Sequence, residues 1–263
     1  MPLPPDLHVH TEWSWDAARG SMEESCQRAL DLGLPAIAFT EHADWVQVHQ
    51  GQRPLDVRGY LDAVERCRVK FKNLNIRTGV ELGEPHWFPT ETAELLTAGP
   101  IDQVHGSVHC IRVDGDTIDA SQFRDRTDID FSEAVREYFR ETLVLVESNL
   151  TFESIAHLDY PKRYWKNGSR PYKENDFEEE IRAVLKASAK SGRVLEVNTT
   201  RGHTLCPDLT VVRWWREVGG QAVQYGSDAH QPDRVAEGFK VATQMVQSAG
   251  FKPPADPTGL WRR

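Results

Sequence analysis

The sequence predicts an α/β fold in which helices cover a mainly parallel sheet. Short apolar segments of strand type alternate seven times with segments of helical periodicity, and this alternation is typical of parallel strands joined by crossover helices. The chain has 263 residues, close to the roughly 250 residues of a common α/β barrel. No linker or low-complexity tract divides it, so we expect one domain over residues 1–263.

Seven strand–helix units follow one another along the chain. The apolar strand segments lie near 6–10, 36–40, 75–82, 101–110, 154–159, 194–199 and 222–227. Helical periodicity covers about 22–32, 57–72, 90–97, 131–149, 174–190, 209–218 and 234–249. Ser21 and Ser132 are the expected N-caps of the first and fourth helices, and Gly33 and Gly192 lie just past helix ends.

These units are compatible with an open doubly wound sheet or with a closed barrel. The dinucleotide-binding pattern G-x-G-x-x-G does not follow the first strand, which disfavours a Rossmann fold. Both arrangements bring the carboxyl ends of the strands to one edge, and folds of this kind build their active sites there. Side chains at those ends are therefore the candidates for function.

The composition disfavours several functional classes. A formal net charge of −9 argues against binding long nucleic acids, because that binding relies on Lys and Arg against phosphate. No apolar run approaches the ~20 residues of a membrane span, and residues 1–10 lack the basic and apolar regions of a signal peptide. The four cysteines form no C-x-x-C pair, which suits a reducing compartment. We expect a cytoplasmic protein that does not contact membranes.

Metal-ligand side chains recur at the carboxyl ends of the predicted strands. His8 and His10 point to the same face of the first strand, and Asp228 and His230 do so after the last. The remaining candidates follow the intervening strands or lie in the first loop: His42, Glu81, His109, His157 and Asp16. A single histidine at a strand end is usually structural, but its recurrence at strand after strand predicts a multi-metal site. Imidazole together with carboxylate suits zinc, manganese or iron.

The ordered motifs H-x-H, T-E-H, G-x-E, G-S-x-H, H-x-D and S-D-A-H resemble those of the PHP (polymerase and histidinol phosphatase) family. The stretches GVELGEPHW, GSVHCI and HLDYPKRYW are similar to the histidinol-phosphatase branch. The resemblance implies a distorted (β/α)7 barrel that holds three divalent ions. It assigns His8, His10, Glu81 and Asp228 to the first ion. It assigns Glu81, His109 and His157 to the second, and Asp16, His42 and His230 to the third.

The resemblance further implies a metal-dependent phosphomonoesterase, and specifically hydrolysis of L-histidinol phosphate to L-histidinol and phosphate by a metal-bound hydroxide. The expected catalytic residues are Glu81 and Asp228, with His203, Asp159 or a metal-bound water as the proton donor to the leaving oxygen. Two arginines just past strand ends, Arg163 and Arg201, are candidates for holding the phosphate, because a guanidinium fork matches phosphate oxygens. Two residues on the loop after the third strand are candidates for the amine and imidazole of histidinol: Glu84 and His86.

Two other functions stay open at this stage. The first is a phosphoesterase of the same family that acts on nucleotides, short oligonucleotides or sugar phosphates. The second is a non-catalytic, metal-binding regulatory module, although all nine expected ligand positions are present in the sequence. In the enzyme hypotheses the partner is a small-molecule phosphate monoester. When the negative charges of the ligands are subtracted from the charges of three divalent ions, about two positive charges remain, and these match a monoester dianion.

Overall fold

The computed structural model describes residues 2–126, 128–165 and 171–263. Its main sheet has eight strands, of which the first seven pair in parallel and the last pairs antiparallel with its neighbour. In sheet order the strands are β1 (Asp6–Val9), β2 (Ala36–Asp44), β3 (Asn75–Gly83), β4 (Gln103–Ser107), β7 (Ser154–Ile155), β8 (Val194–Asn198), β9 (Ala222–Gly226) and β10 (Trp261–Arg262).

The sheet curves so that its first strand meets the chain leaving β9. Val9 forms a parallel bridge with Ala229, and the Asp228 amide donates to the His8 carbonyl at 2.8 Å. Closure therefore takes place at the carboxyl ends of the strands, and it brings the first and last sequence motifs together. This is the barrel-like arrangement that the sequence predicted for a PHP fold, with β10 as an added antiparallel strand.

Within the described residues seven α-helices surround the sheet: α1 (Met22–Leu32), α2 (Val57–Lys70), α3 (Pro89–Thr97), α4 (Phe131–Glu147), α5 (Glu178–Lys190), α6 (Leu209–Glu217) and α7 (Phe239–Ser248). Ser21 caps α1 as predicted, and Gly33 ends it in the left-handed conformation at φ 66°. The predicted cap of α4 was wrong. Asp130, rather than Ser132, accepts a hydrogen bond from the Glu133 amide, because its carboxylate stands three residues before that donor.

The predicted fourth strand, 101–110, was too long. It ends at Ser107, and a separate antiparallel hairpin follows, formed by β5 (Cys110–Val113) and β6 (Asp116–Asp119). Asp114 and Gly115 both have positive φ, as a two-residue hairpin turn requires. The predicted helices at 174–190 and 234–249 also begin late. A one-turn 3-10 segment occupies 174–177, and α7 begins only at Phe239, after a turn that ends at Gly238 with φ 82°.

The register of the central strands positions one carboxylate among histidines. His42 of β2 lies opposite Glu81 of β3, and Glu81 lies opposite His105 of β4. Residues opposite each other in neighbouring strands point to the same face, so these three side chains project together. No helix within the described ranges is long and apolar enough to cross a membrane.

Candidate metal centre

Glu81 is the centre of the site, and it is almost fully buried at 1% exposure. Its oxygen Oε1 lies 2.6 Å from His157 Nε2 and 3.3 Å from His109 Nε2. Its other oxygen, Oε2, lies 3.3 Å from a ring nitrogen of each of three further histidines: His8, His10 and His42. One carboxylate thus faces five imidazoles, with its two oxygens directed to different groups.

The first expected ligand group assembles around Oε2. The Nε2 atoms of His8 and His10 are 3.0 Å apart, as the alternation in β1 predicts. Asp228 Oδ1 lies 3.5 Å from His10 Nε2 and 4.0 Å from His8 Nε2. These spacings suit donor atoms that surround one cation.

The other two expected groups also come together. His109 Nε2 lies 3.3 Å from His157 Nε2, and both face Oε1 of Glu81. Asp16 Oδ2 lies 2.9 Å from His230 Nε2 and 3.5 Å from His42 Nε2. The nine residues predicted from the sequence therefore form one continuous cluster.

Several buried polar residues that the sequence reasoning missed hold the histidines in place. Glu196 accepts from His8 Nδ1 at 2.6 Å and from the His157 amide at 2.7 Å, so it links two ligand groups. Ser14 Oγ lies 3.0 Å from His10 Nδ1 and accepts from the His42 amide. The signal that could have indicated Glu196 is a lone acidic residue inside the otherwise apolar start of β8, V-L-E-V.

Asp44 was missed as well, although it ends the strand that carries His42. Its two oxygens lie 3.5 Å from His42 Nδ1 and 3.7 Å from His109 Nδ1. Trp15 Nε1 donates to the same carboxylate at 2.7 Å. His105, by contrast, is committed to the fold, since its ring contacts Ser154 Oγ and the Leu7 carbonyl.

Electrostatics divide the imidazoles that face Glu81 into two kinds. Burial lowers the pKa of His157, as it does that of His10, whereas nearby carboxylates outweigh burial and raise the pKa of the other three: His8, His42 and His109. Burial, followed by the charges of His42 and His230, lowers the pKa of His10 to about 3. Burial alone would raise the pKa of Glu81, but the surrounding histidines outweigh it and hold that pKa well below its usual range. Neutral imidazole and ionised carboxylate are the protonation states that bind divalent metals.

Strained backbone is concentrated at the same edge of the barrel. In the part of the chain that the structure describes, seven non-glycine residues have positive φ, and five of them lie there: Glu84, His157, Thr200, Arg201 and Asp228. Such conformations cost about 1–3 kcal/mol each and cluster at functional sites, where the surrounding structure enforces them. The strain therefore marks this edge as the functional one, independently of the ligand pattern.

A cavity of about 180 Å³ lies beside the cluster. Its walls include three aromatic side chains and three carboxylates: Trp15, Tyr160, Tyr164, Asp44, Glu84 and Asp119. Glu84 Oε1 accepts from the amides of His109 and Cys110, and burial raises the pKa of this carboxyl to about 7. His86 does not line this cavity, because its ring pairs with Glu141 of α4.

The remaining predicted residues take varied positions. Arg163 is buried and donates to Asp228 Oδ2 at 2.7 Å and to Asn198 Oδ1 at 3.0 Å. Arg201 is half-buried, and its Nε has no partner among the described residues. Asp159 is buried, and its Oδ2 lies 3.6 Å from Lys162 Nζ. Burial raises the pKa of Asp159 to about 6. His203 is exposed, and neither it nor Asp159 lines the cavity.

This fold and this cluster define a metal-dependent phosphoesterase of the PHP type. The PHP domain family matches residues 6–200, and the chain belongs to that family. The chain is 28% identical to a histidinol-phosphatase of Lactococcus lactis over 261 residues, which cover 97% of this chain and 94% of the relative. A probable histidinol-phosphatase of Clostridium acetobutylicum is 27% identical, with 94% of each chain covered.

Solved structures agree with these sequence relatives. The L. lactis histidinol phosphate phosphatase, crystallised with zinc, L-histidinol and phosphate, superposes with a TM-score of 0.83 at 25% identity, over 95% of this chain and 94% of that one. A histidinol phosphatase of Listeria monocytogenes has the same fold, with a TM-score of 0.75 at 18% identity and coverage of 90% and 99%.

Proposed function

We propose that the protein is a metal-dependent histidinol-phosphatase that hydrolyses L-histidinol phosphate to L-histidinol and phosphate. The observation that carries the proposal is Glu81, whose two oxygens each face a separate set of imidazoles beside a cavity with aromatic and acidic walls. Full-length similarity to histidinol-phosphatases supports the choice of substrate.

The donor atoms fit divalent ions. The Nε2 atoms of His8 and His10 face each other at 3.0 Å beside a carboxylate, and the Nε2 atoms of His109 and His157 do so at 3.3 Å. Paired lone pairs at these distances suit a shared cation, and mixed imidazole and carboxylate donors suit zinc, manganese or iron.

Three ions are proposed, held by the groups defined above. The first would be held by His8, His10, Glu81 and Asp228, the second by Glu81, His109 and His157, and the third by Asp16, His42 and His230. Such ions lower the pKa of a coordinated water towards 7, which makes a hydroxide nucleophile available at neutral pH.

The chain's own residues would organise the reaction around these ions. Glu196 fixes the ring of His8 and the backbone of His157, so the two sets of donors keep a constant spacing. Arg163 holds the Asp228 carboxylate in place, and Arg201, just past the end of β8, stays a predicted ligand of the phosphate. The leaving oxygen requires a proton, and Asp159 and His203 stay the predicted donors.

The cavity walls favour an aromatic and cationic substrate. Tyr160, Tyr164 and Trp15 offer ring faces to an imidazole, and the Glu84 and Asp44 carboxylates suit an ammonium group. A nucleoside monophosphate carries no ammonium group to pair with these carboxylates. This contrast favours histidinol phosphate over the nucleotide hypothesis.

Steady-state phosphate release from histidinol phosphate, nucleoside monophosphates and sugar phosphates tests the proposal, with metal content measured on the same sample. We expect the highest kcat/KM for histidinol phosphate, and loss of activity on chelation. Faster turnover of nucleotides would contradict the substrate. No phosphate release with any metal would contradict the enzyme and favour the regulatory module.

A further inference from the structure

A second cavity, of about 550 Å³, lies at the opposite end of the barrel from the metal centre. Its walls come from the first residues of β3, β4 and β8, from the segment before β7, and from β10. Three arginines distant in sequence meet there: Arg77, Arg193 and Arg262. The chain as a whole has a net charge of −9, so this cluster makes the cavity a positively charged region on an otherwise acidic protein.

These three guanidinium groups have no ion-pair partner in the part of the chain that the structure describes, whereas other arginines such as Arg136 and Arg182 are paired. Arg77 donates to the Thr258 carbonyl at 3.0 Å and forms no ion pair with Asp256, whose pKa is lowered first by hydrogen bonds from Thr258 and only then by the charge of Arg77. The one carboxylate in the cavity wall, that of Glu153, accepts from the Val104 amide at 2.7 Å.

Arg193 is the most constrained of the three. Its guanidinium stacks on the Phe152 ring at 3.9 Å, and one amino group donates to the Leu150 carbonyl at 3.2 Å. The Nε atom of Arg193 is buried without a hydrogen-bond partner among the described residues. Burial lowers the pKa of the Arg193 guanidinium. The stacking on Phe152 and the hydrogen bond to Leu150 hold the guanidinium at the cavity wall.

We propose that this cavity is a second anion site, which binds the phosphoryl group of a small molecule. Three arginines and one glutamate leave two positive charges, which match a phosphoryl dianion, and the planar guanidinium forks suit its oxygens. The volume lies within the range of small-molecule sites, so it accommodates an organic body as well as the anion. The proposal is independent of the activity of the metal centre.

Calorimetric titration of the metal-loaded full-length protein tests this site. The probes are inorganic phosphate and phenylphosphonate, a phosphate-ester analogue that cannot be hydrolysed. We expect the unmodified protein to bind the phosphoryl group at the metal centre and at this second cavity. The double variant Arg193→Gln/Arg262→Gln should keep the first binding event and weaken the second about tenfold or more, since each charged hydrogen bond contributes at least that much.

Arg58→Gln, which removes an exposed arginine on α2, is the matched control and should keep both events. Arg262→Gln alone is a milder variant, because the Arg262 side chain is exposed and its only described bonds are through the backbone. Tighter binding of phosphate than of phenylphosphonate identifies the free anion as the occupant, and the reverse order identifies a phosphorylated metabolite. A single binding event in the unmodified protein, or unchanged second-site affinity in both arginine variants, would overturn the proposal.

Discussion

Replacing Glu196 is expected to weaken metal binding although Glu196 is not among the proposed ligands. The carboxylate is fully buried, and it accepts from His8 Nδ1 at 2.6 Å, from the His157 amide at 2.7 Å and from Asn198 Nδ2 at 3.1 Å. If a metal is bound to His8 Nε2, the ring proton must lie on Nδ1. Glu196 accepts the hydrogen bond from that Nδ1–H group. In the folded protein burial opposes ionisation of Glu196, but the charge and hydrogen bond of His8 lower its pKa to about 2.

Glu196→Gln keeps the volume but changes the bonding. If the amide oxygen faces His8, then the amide nitrogen faces the His157 backbone donor, so one of the two hydrogen bonds is lost. Partners of this kind contribute about 10–100-fold in metal affinity, or roughly 1.4–2.8 kcal/mol. Glu196→Ala leaves both donors unpaired and is expected to lie at or beyond the upper end of that range.

Competition with a chromophoric chelator measures the metal affinity directly, apart from activity. Glu153→Gln is the matched control, because Glu153 also accepts from a backbone amide but lies at the other end of the barrel. Wild-type zinc affinity in Glu196→Gln, together with an unchanged kcat, would refute the reasoning. A loss shared equally with Glu153→Gln would point to general destabilisation instead.

Three further outcomes are expected. Asp16→Ala should remove one equivalent of bound metal while the others stay, as measured by atomic emission; unchanged stoichiometry would contradict the third site. Gly226→Ala should destabilise the fold by about 1–3 kcal/mol in urea unfolding, because the added Cβ would overlap Glu196 Oε1, and a neutral result would argue against that packing. The hydrogen bond to Asp119 raises the pKa of His49. The ion pair between these two side chains should therefore be present at low pH and lost as the pH rises through the raised pKa of His49. Hydrogen exchange in residues 45–52 should accelerate over that interval, and His49→Gln should abolish the pH dependence.

The sequence allowed the site to be predicted more completely than the fold's details. Period-two alternation was enough to group His8 with His10, and the common edge of parallel strands placed Glu81 at the same end of the fold, but only the family resemblance assigned Glu81 to the same ion. Element boundaries were less accurate where a side chain or a turn overrode the periodicity. Asp130 replaced Ser132 as a cap because of one side-chain hydrogen bond. The β5–β6 hairpin followed the shortened fourth strand because Asp114 and Gly115 form a tight turn.

Sequence alone determined the chemistry of this protein: which side chains can bind metal, and at which end of each strand they lie. The tertiary structure decided how those side chains are held. Glu196 is 188 residues from His8, and Arg163 is 65 residues from Asp228, yet the first pair is 2.6 Å apart and the second 2.7 Å. No periodicity encodes such contacts, because they depend on sheet closure and on the register between strands distant in sequence. The arginine-lined cavity at the other end of the barrel depends on tertiary structure for the same reason.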